Sequence, residues 1–336
     1  MRKIILACVL ALVLSNFSDA SGPKGRELEF DYQAVIEDIP QGAANLKIWL
    51  PILPQTEYQI IEDLKIDPQD SSVITFDKVY NNKILNYTIK SPHESTMKIN
   101  VHYKVKRYEY SNDPKHPLLH NGRHHPQEDL SLYLKPNRLV TLSPKVKKLA
   151  RDVIKGKKTT IDRARAIYDY VFQNVSYDKT IAGWGQGDTE RVCFVKAGNC
   201  TDFHSLFISL ARVSGIPAKF VIGVPISDTT KEGEIKGYHC WAEFYDKQLG
   251  WIPVDVSEAW KDKSKYEYYF GNLGENRLEF TQGRDIILEP NQNGEPLNYF
   301  VYPYVEINGK EYKKVQVLFK FKDREEKGKD QLTPTI

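Results

Sequence analysis

The sequence predicts an α+β protein in which strands come first, helices occupy the middle and strands return. Three observations predict it. Residues 26–110 alternate apolar and polar positions with a period of two, as in Leu28, Phe30, Tyr32, Ala34 and Ile36 and in Met97, Ile99, Val101, Tyr103 and Val105. Residues 144–213 carry apolar side chains at helical spacing. From Lys219 onwards β-leaning runs return. The 12% aromatic share, with 20 Tyr, suits a β-rich chain, and the 336 residues suffice for two domains.

The N-terminus reads as a secretory signal peptide over residues 1–20. Arg2 and Lys3 precede an apolar run from Ile4 to Leu14, and Ser18 and Ala20 offer small residues for cleavage after Ala20. The run falls short of the roughly 20 residues that span a bilayer, and no later segment is apolar enough to do so. The expected mature protein is soluble and exported, to the periplasm or beyond the cell.

Residues 26–110 read as a small antiparallel sandwich, with further strands near Leu46–Leu50, Val73–Val79 and Ile84–Ile89, and packing against the second domain is its expected job. Residues 111–143, rich in Pro, His, Asn and Asp, form a linker or crossing loop. Its His116, His120, His124 and His125 suggest a metal cluster, but Pro117 and Pro126 break any helix that would converge the imidazoles, so a surface loop is expected.

The second domain spans 144–321. Ser143 caps a helix from Pro144 to Ile154, with proline at its first position. A second helix runs from Thr160 to Asn174 with Ile161, Ala164, Ile167, Tyr168 and Val171 on one stripe. A Gly-rich loop, Ala182 to Asp188, lacks the pattern of a phosphate cradle. The third helix, Cys200 to Val213, has Phe203, Leu206, Phe207 and Leu210 on one face, and Gly215 and Pro217 stop it. Strands are expected at 219–225, 238–245, 251–256, 286–288, 299–307 and 312–321, with Asn308-Gly309 as a hairpin turn. The charged tail, 322–336, is expected to fray.

Cys200 opens a helix, where unpaired N–H groups and partial positive charge favour a thiolate and can hold an oxyanion. By itself such a cysteine is more often a packed thiol. Two strands alter that balance. In His239-Cys240-Trp241-Ala242-Glu243, His239, Trp241 and Glu243 share a face. A turn centred on Lys247 sets His239 directly opposite Asp255, near enough for a carboxylate to hold one imidazole nitrogen and leave the other for a thiol. The competing reading is a buried histidine satisfied by a neighbouring aspartate. Glu243 reads as structural, and Asp202 as a partner of the helix dipole. Outside the signal peptide, Cys193, Cys200 and Cys240 leave an odd count, so Cys193 could pair with Cys240, or all three could be buried thiols.

These residues resemble the transglutaminase-like superfamily. Gly198-Asn199-Cys200-Thr201-Asp202, followed by Leu210-Ala211-Arg212 and Gly215-Ile216-Pro217-Ala218, is similar to its nucleophile helix. Tyr238-His239-Cys240-Trp241-Ala242-Glu243 resembles its histidine strand, and Gly250-Trp251-Ile252-Pro253-Val254-Asp255 its aspartate strand. The likeness is clear over about residues 165–260 and extends more weakly through Tyr269-Phe270-Gly271-Asn272 and Tyr302-Pro303-Tyr304. It implies a papain-like core, a nucleophile helix packed on an antiparallel sheet, preceded here by the small all-β domain. It implies acyl transfer by Cys200, His239 and Asp255 with no cofactor, on a protein or peptide substrate. It also implies an upstream side chain as oxyanion donor, for which Trp184 and Gln186 are the candidates.

The formal net charge of +3 is spread among interspersed Lys, Arg, Asp and Glu, which leaves no nucleic-acid footprint. A peptidase or amidase acting on the same bond is an alternative, and a non-enzymatic binding or assembly protein is the competing class.

Overall fold

The computed structural model describes residues 24–111 and 129–324. The signal-peptide segment, the four histidines of the linker and the tail beyond residue 324 lie outside the described residues.

Alternation makes the sandwich, but both ends of the chain supply it. One sheet has five antiparallel strands in the order Glu232–Ile235, Val315–Asp323, Gly25–Ile36, Met97–Tyr108 and Gln59–Asp67. The other runs Lys310–Glu311, Tyr304–Ile307, Asn45–Pro51, Lys83–Lys90 and Ser72–Phe76. Along Gly25–Ile36 the even-numbered residues from Leu28 to Ile36 are buried, and they share one apolar core with Leu46, Ile48 and Leu50 of the second sheet. The last long strand pairs with the first, Phe30 opposite Phe321 and Tyr32 opposite Phe319. Period-two patterning marks a strand but not its partner, so this long-range pairing had no sequence signal.

Some expected strands shrink. Ile286–Leu288 contributes a single bridge, Ile286 to Leu297, and the run from Tyr299 forms a strand only at Tyr304–Ile307. The Asn308-Gly309 hairpin forms as expected, both residues having positive φ and Ile307 pairing with Lys310.

Five α-helices occur among the described residues: α1 (Pro144–Val153), α2 (Thr160–Asn174), α3 (Thr189–Val195), α4 (Cys200–Val213) and α5 (Val256–Lys261). Ser143 caps α1, accepting the Val146 N–H. α4 is the central helix. It packs on a four-stranded antiparallel sheet ordered Gly250–Val254, His239–Asp246, Ala218–Pro225 and Arg277–Gln282, with α1, α2, α3 and α5 around it. A single apolar stripe was expected on α4. Instead every residue from Cys200 to Arg212 is buried, and its polar side chains find partners. Ser205 accepts from Arg284 Nη1 at 2.6 Å, and Arg212 Nε donates to the Ala218 carbonyl at 3.0 Å. Phe280 of the four-stranded sheet meets Tyr32 edge-on at 5.6 Å, which joins the sandwich to this core.

Candidate active site

The N-terminus of α4 is built before any chemistry is added. Asn199 caps it, its side chain accepting the Thr201 N–H at 2.9 Å, while Asp202 reaches back to the Asn199 N–H at 2.9 Å. Asp202 does more than face the dipole. It also accepts Gly185 N–H at 2.6 Å and Gly187 N–H at 3.1 Å, pinning the Gly-rich loop over the helix start. Burial, its largest influence, raises this carboxyl, against those N–H donors. Gly187 has φ +64°, and a Cβ there would meet the Ser205 hydroxyl at 2.2 Å, so the close approach requires glycine.

His239 begins the strand His239–Asp246, and Asp255 follows the strand Gly250–Val254. The expected register needs correction. Asp246 pairs with Gly250, so the turn centres on Gln248 rather than Lys247, and the ladder ends at Ala242 opposite Val254. Asp255 therefore stands two places from the position straight across from His239, beyond the ladder, where it caps α5 by accepting the Glu258 N–H. A slip of one residue would have sent the carboxylate to the other face, whereas two residues restore it. His239 Nε2 meets Asp255 Oδ2 at 2.7 Å.

Asp255 is fully buried and richly held. Arg277 Nη1 donates to Oδ2 at 2.9 Å, and the Ser257 hydroxyl to Oδ1 at 3.1 Å. Burial would raise its carboxyl, but the charges of His239, Arg277 and His204 and the His239 hydrogen bond hold it well below the usual range. Burial likewise opposes the His239 cation, yet Asp255 and hydrogen bonding with Cys200 lift the imidazole to about 9. Burial would push the Cys200 thiol up. Hydrogen bonding with Cys240 and His239, together with the His239 charge, brings it well below its ordinary value. With Nε2 engaged by Asp255, Nδ1 is the nitrogen left for another partner, and Glu258 Oε1 lies 3.9 Å from it. Both directions favour the charged forms, thiolate and imidazolium, over the neutral pair.

Sequence reasoning gave no role to three residues around this group. Arg277 comes from a strand, Arg277–Gln282, that the patterning left unassigned. His204 lies four residues after Cys200 on α4, a helical spacing that could have drawn notice. The Tyr238 hydroxyl accepts the Asn199 side-chain amide and lies 2.9 Å from Thr201 Oγ1.

Trp184 and Gln186 sit on the pinned loop. Trp184 is 40% exposed with Lys179 over its ring, and the Gln186 carbonyl accepts from Arg284 and Asn298. Glu243 bonds Lys219 at 3.2 Å and Trp241 Nε1 at 3.4 Å. Cys193 and Cys240 are both free thiols, so the possible disulfide between them is absent. A cavity of about 700 Å³ reaches His239, with Tyr177, Tyr238, Glu258, Lys261 and Tyr268 among its walls.

Residues 147–256 match the family model described as the transglutaminase-like superfamily, and that segment holds α4 and both site strands. The chain thus carries a transglutaminase-like core. It is 28% identical over 320 residues to an uncharacterized protein of Haemophilus influenzae, covering 83% of this chain and 84% of that one. Over 140 residues it is 24% identical to the uncharacterized protein YebA of Bacillus subtilis, covering 38% of this chain and 19% of YebA. The fold also matches the crystal structure of a Cytophaga hutchinsonii protein provisionally described as a cysteine protease. There the TM-score is 0.56 at 15% identity, covering 90% of this chain and 98% of that one.

Proposed function

We propose that this chain is an exported cysteine-dependent acyl-transfer enzyme acting on peptide or glutamine amides. The observation that supports the reading is the 2.7 Å bond of His239 to Asp255, with hydrogen bonding between Cys200 and His239 among the influences that raise the imidazole to about 9 and lower the thiol. The Cys200 thiolate attacks the amide carbonyl carbon. The Cys200 N–H and a donor on the 182–188 loop, Trp184 or Gln186, hold the oxyanion, each such donor supplying about 3–4 kcal/mol in measured systems. His239 gives its Nδ1 proton to the departing nitrogen, the C–N bond breaks and a thioester remains. An amine or water then loses a proton to His239 and attacks the thioester, which restores the thiolate–imidazolium pair. Asp255 keeps the imidazole oriented throughout, and Arg277 keeps Asp255 ionised. Export rests on the basic, apolar and small-residue order of residues 2–20.

The test is to incubate the mature protein with a fluorescent primary amine and a glutamine-containing protein, with Cys200→Ala as control. Incorporation lost in the variant supports acyl transfer. Cleavage or deamidation without incorporation assigns a peptidase or amidase instead. No product dependent on Cys200 would assign a binding protein.

A further inference from the structure

His204 has no step in the mechanism above, yet it is fully buried one helical turn beyond Cys200. Its Nε2 accepts the Val256 N–H at 3.1 Å, so that nitrogen carries no proton. The proton therefore sits on Nδ1, which lies 3.8 Å from Cys240 Sγ. One neutral imidazole thus ties α4, one turn beyond the candidate nucleophile, to the peptide that follows Asp255.

We propose that His204 is a positioning residue that locks the first turn of α4 to the Asp255–Val256 peptide and so sets the separation of Cys200 from the His239–Asp255 pair. The proposal rests on the reading of these residues as a triad. It follows from where the ring's contacts go: Nε2 holds the N–H that directly follows Asp255, Nδ1 faces the sulfur of the residue after His239, and the ring itself stands one turn beyond Cys200. An apolar side chain could fill the volume but would leave the buried Val256 N–H without an acceptor. A protonated ring would fail in another way. Its Nε2–H would oppose the Val256 N–H and turn to Asp255 Oδ1, 3.6 Å away, on the carboxylate that serves His239. Burial, the largest influence, disfavours that form, although Asp255 and the Cys200 thiolate favour it and His239 opposes it.

The experiment compares His204→Gln with His204→Asn in the full mature chain. The Gln side-chain oxygen falls near the place of Nε2 and can accept the Val256 N–H, whereas Asn is one carbon shorter and cannot. The readout is the rate of iodoacetamide alkylation at Cys200 across pH, followed by peptide mass, with His239→Ala as control. His204→Gln is expected to keep the wild-type profile within about threefold, while His204→Asn moves its acid midpoint up by about one unit, which slows alkylation about tenfold at pH values below the wild-type midpoint, as for loss of one buried hydrogen bond. Equal profiles in the two variants, with only the melting temperature lowered, would overturn the proposal and leave the triad standing. A wild-type Cys200 that reacts like an ordinary thiol and ignores His239→Ala would overturn both.

Discussion

At the scale of the residue, reactivity is set by which atom holds the proton. Raising pH through about 9 removes the proton from His239 but leaves Cys200 a thiolate. Alkylation of Cys200 should therefore persist above that value while turnover falls, because no acid remains for the departing amine. Stability follows the same sign. A histidine raised from 6.5 to about 9 stabilises the fold fully below about 6.5, and that contribution is lost as pH rises through about 9. Asp255 is depressed, so its contribution is present above the ordinary aspartate range and lost as pH falls through its lowered value. Asp255→Asn keeps the shape but misorients the imidazole, and turnover should drop by about 10³–10⁴; it also leaves Arg277 without its buried carboxylate, so the fold should be destabilised as well. Arg277→Gln breaks a buried ion pair and is expected to cost about 3–5 kcal/mol, readable by urea denaturation.

At the scale of the element, the starts of α1, α2 and α4 were legible, while the short α3 and α5 and the connections between elements were not. The capping signals at Ser143 and Asn199 are local, and the helices they open begin where the sequence places them. The strands of His239 and Asp255 were legible as strands on a shared face. Their register was off by two places because the turn residues do not fix the loop length, and α5, a helix of six residues, gave too short a pattern to read. Asp202 was legible as a helix-start carboxylate but not as the anchor of the Gly-rich loop, since loop contacts lack periodicity. Its removal in Asp202→Ala leaves three N–H groups without acceptors. The expected result is a loss of about 3 kcal/mol or more, with faster proteolysis at the 182–188 loop.

At the scale of the whole molecule, the sandwich is closed by the end of the chain rather than by its beginning alone. Alternation in residues 26–110 revealed the strands, but which strand lies beside Gly25–Ile36 depends on tertiary pairing that no local pattern encodes. Phe319 packs against Phe30, Tyr32 and Phe280, tying the last strand to both the sandwich and the site sheet. Phe319→Ala should cost about 3–5 kcal/mol. If the sandwich and the α4 core share one cooperative unit, that loss shifts a single unfolding transition. Two separate transitions, with the loss confined to the first, would mean that the sandwich melts alone.

The central claim is a thiolate at residue 200 created by the imidazole at residue 239. The direct measurement is a titration of thiolate ultraviolet absorbance in the wild type, in Cys200→Ala and in His239→Ala. The account predicts one thiolate present well below the ordinary cysteine range in the wild type and missing from both variants. A wild-type curve that rises only near the ordinary cysteine value, or one unchanged by His239→Ala, would contradict it.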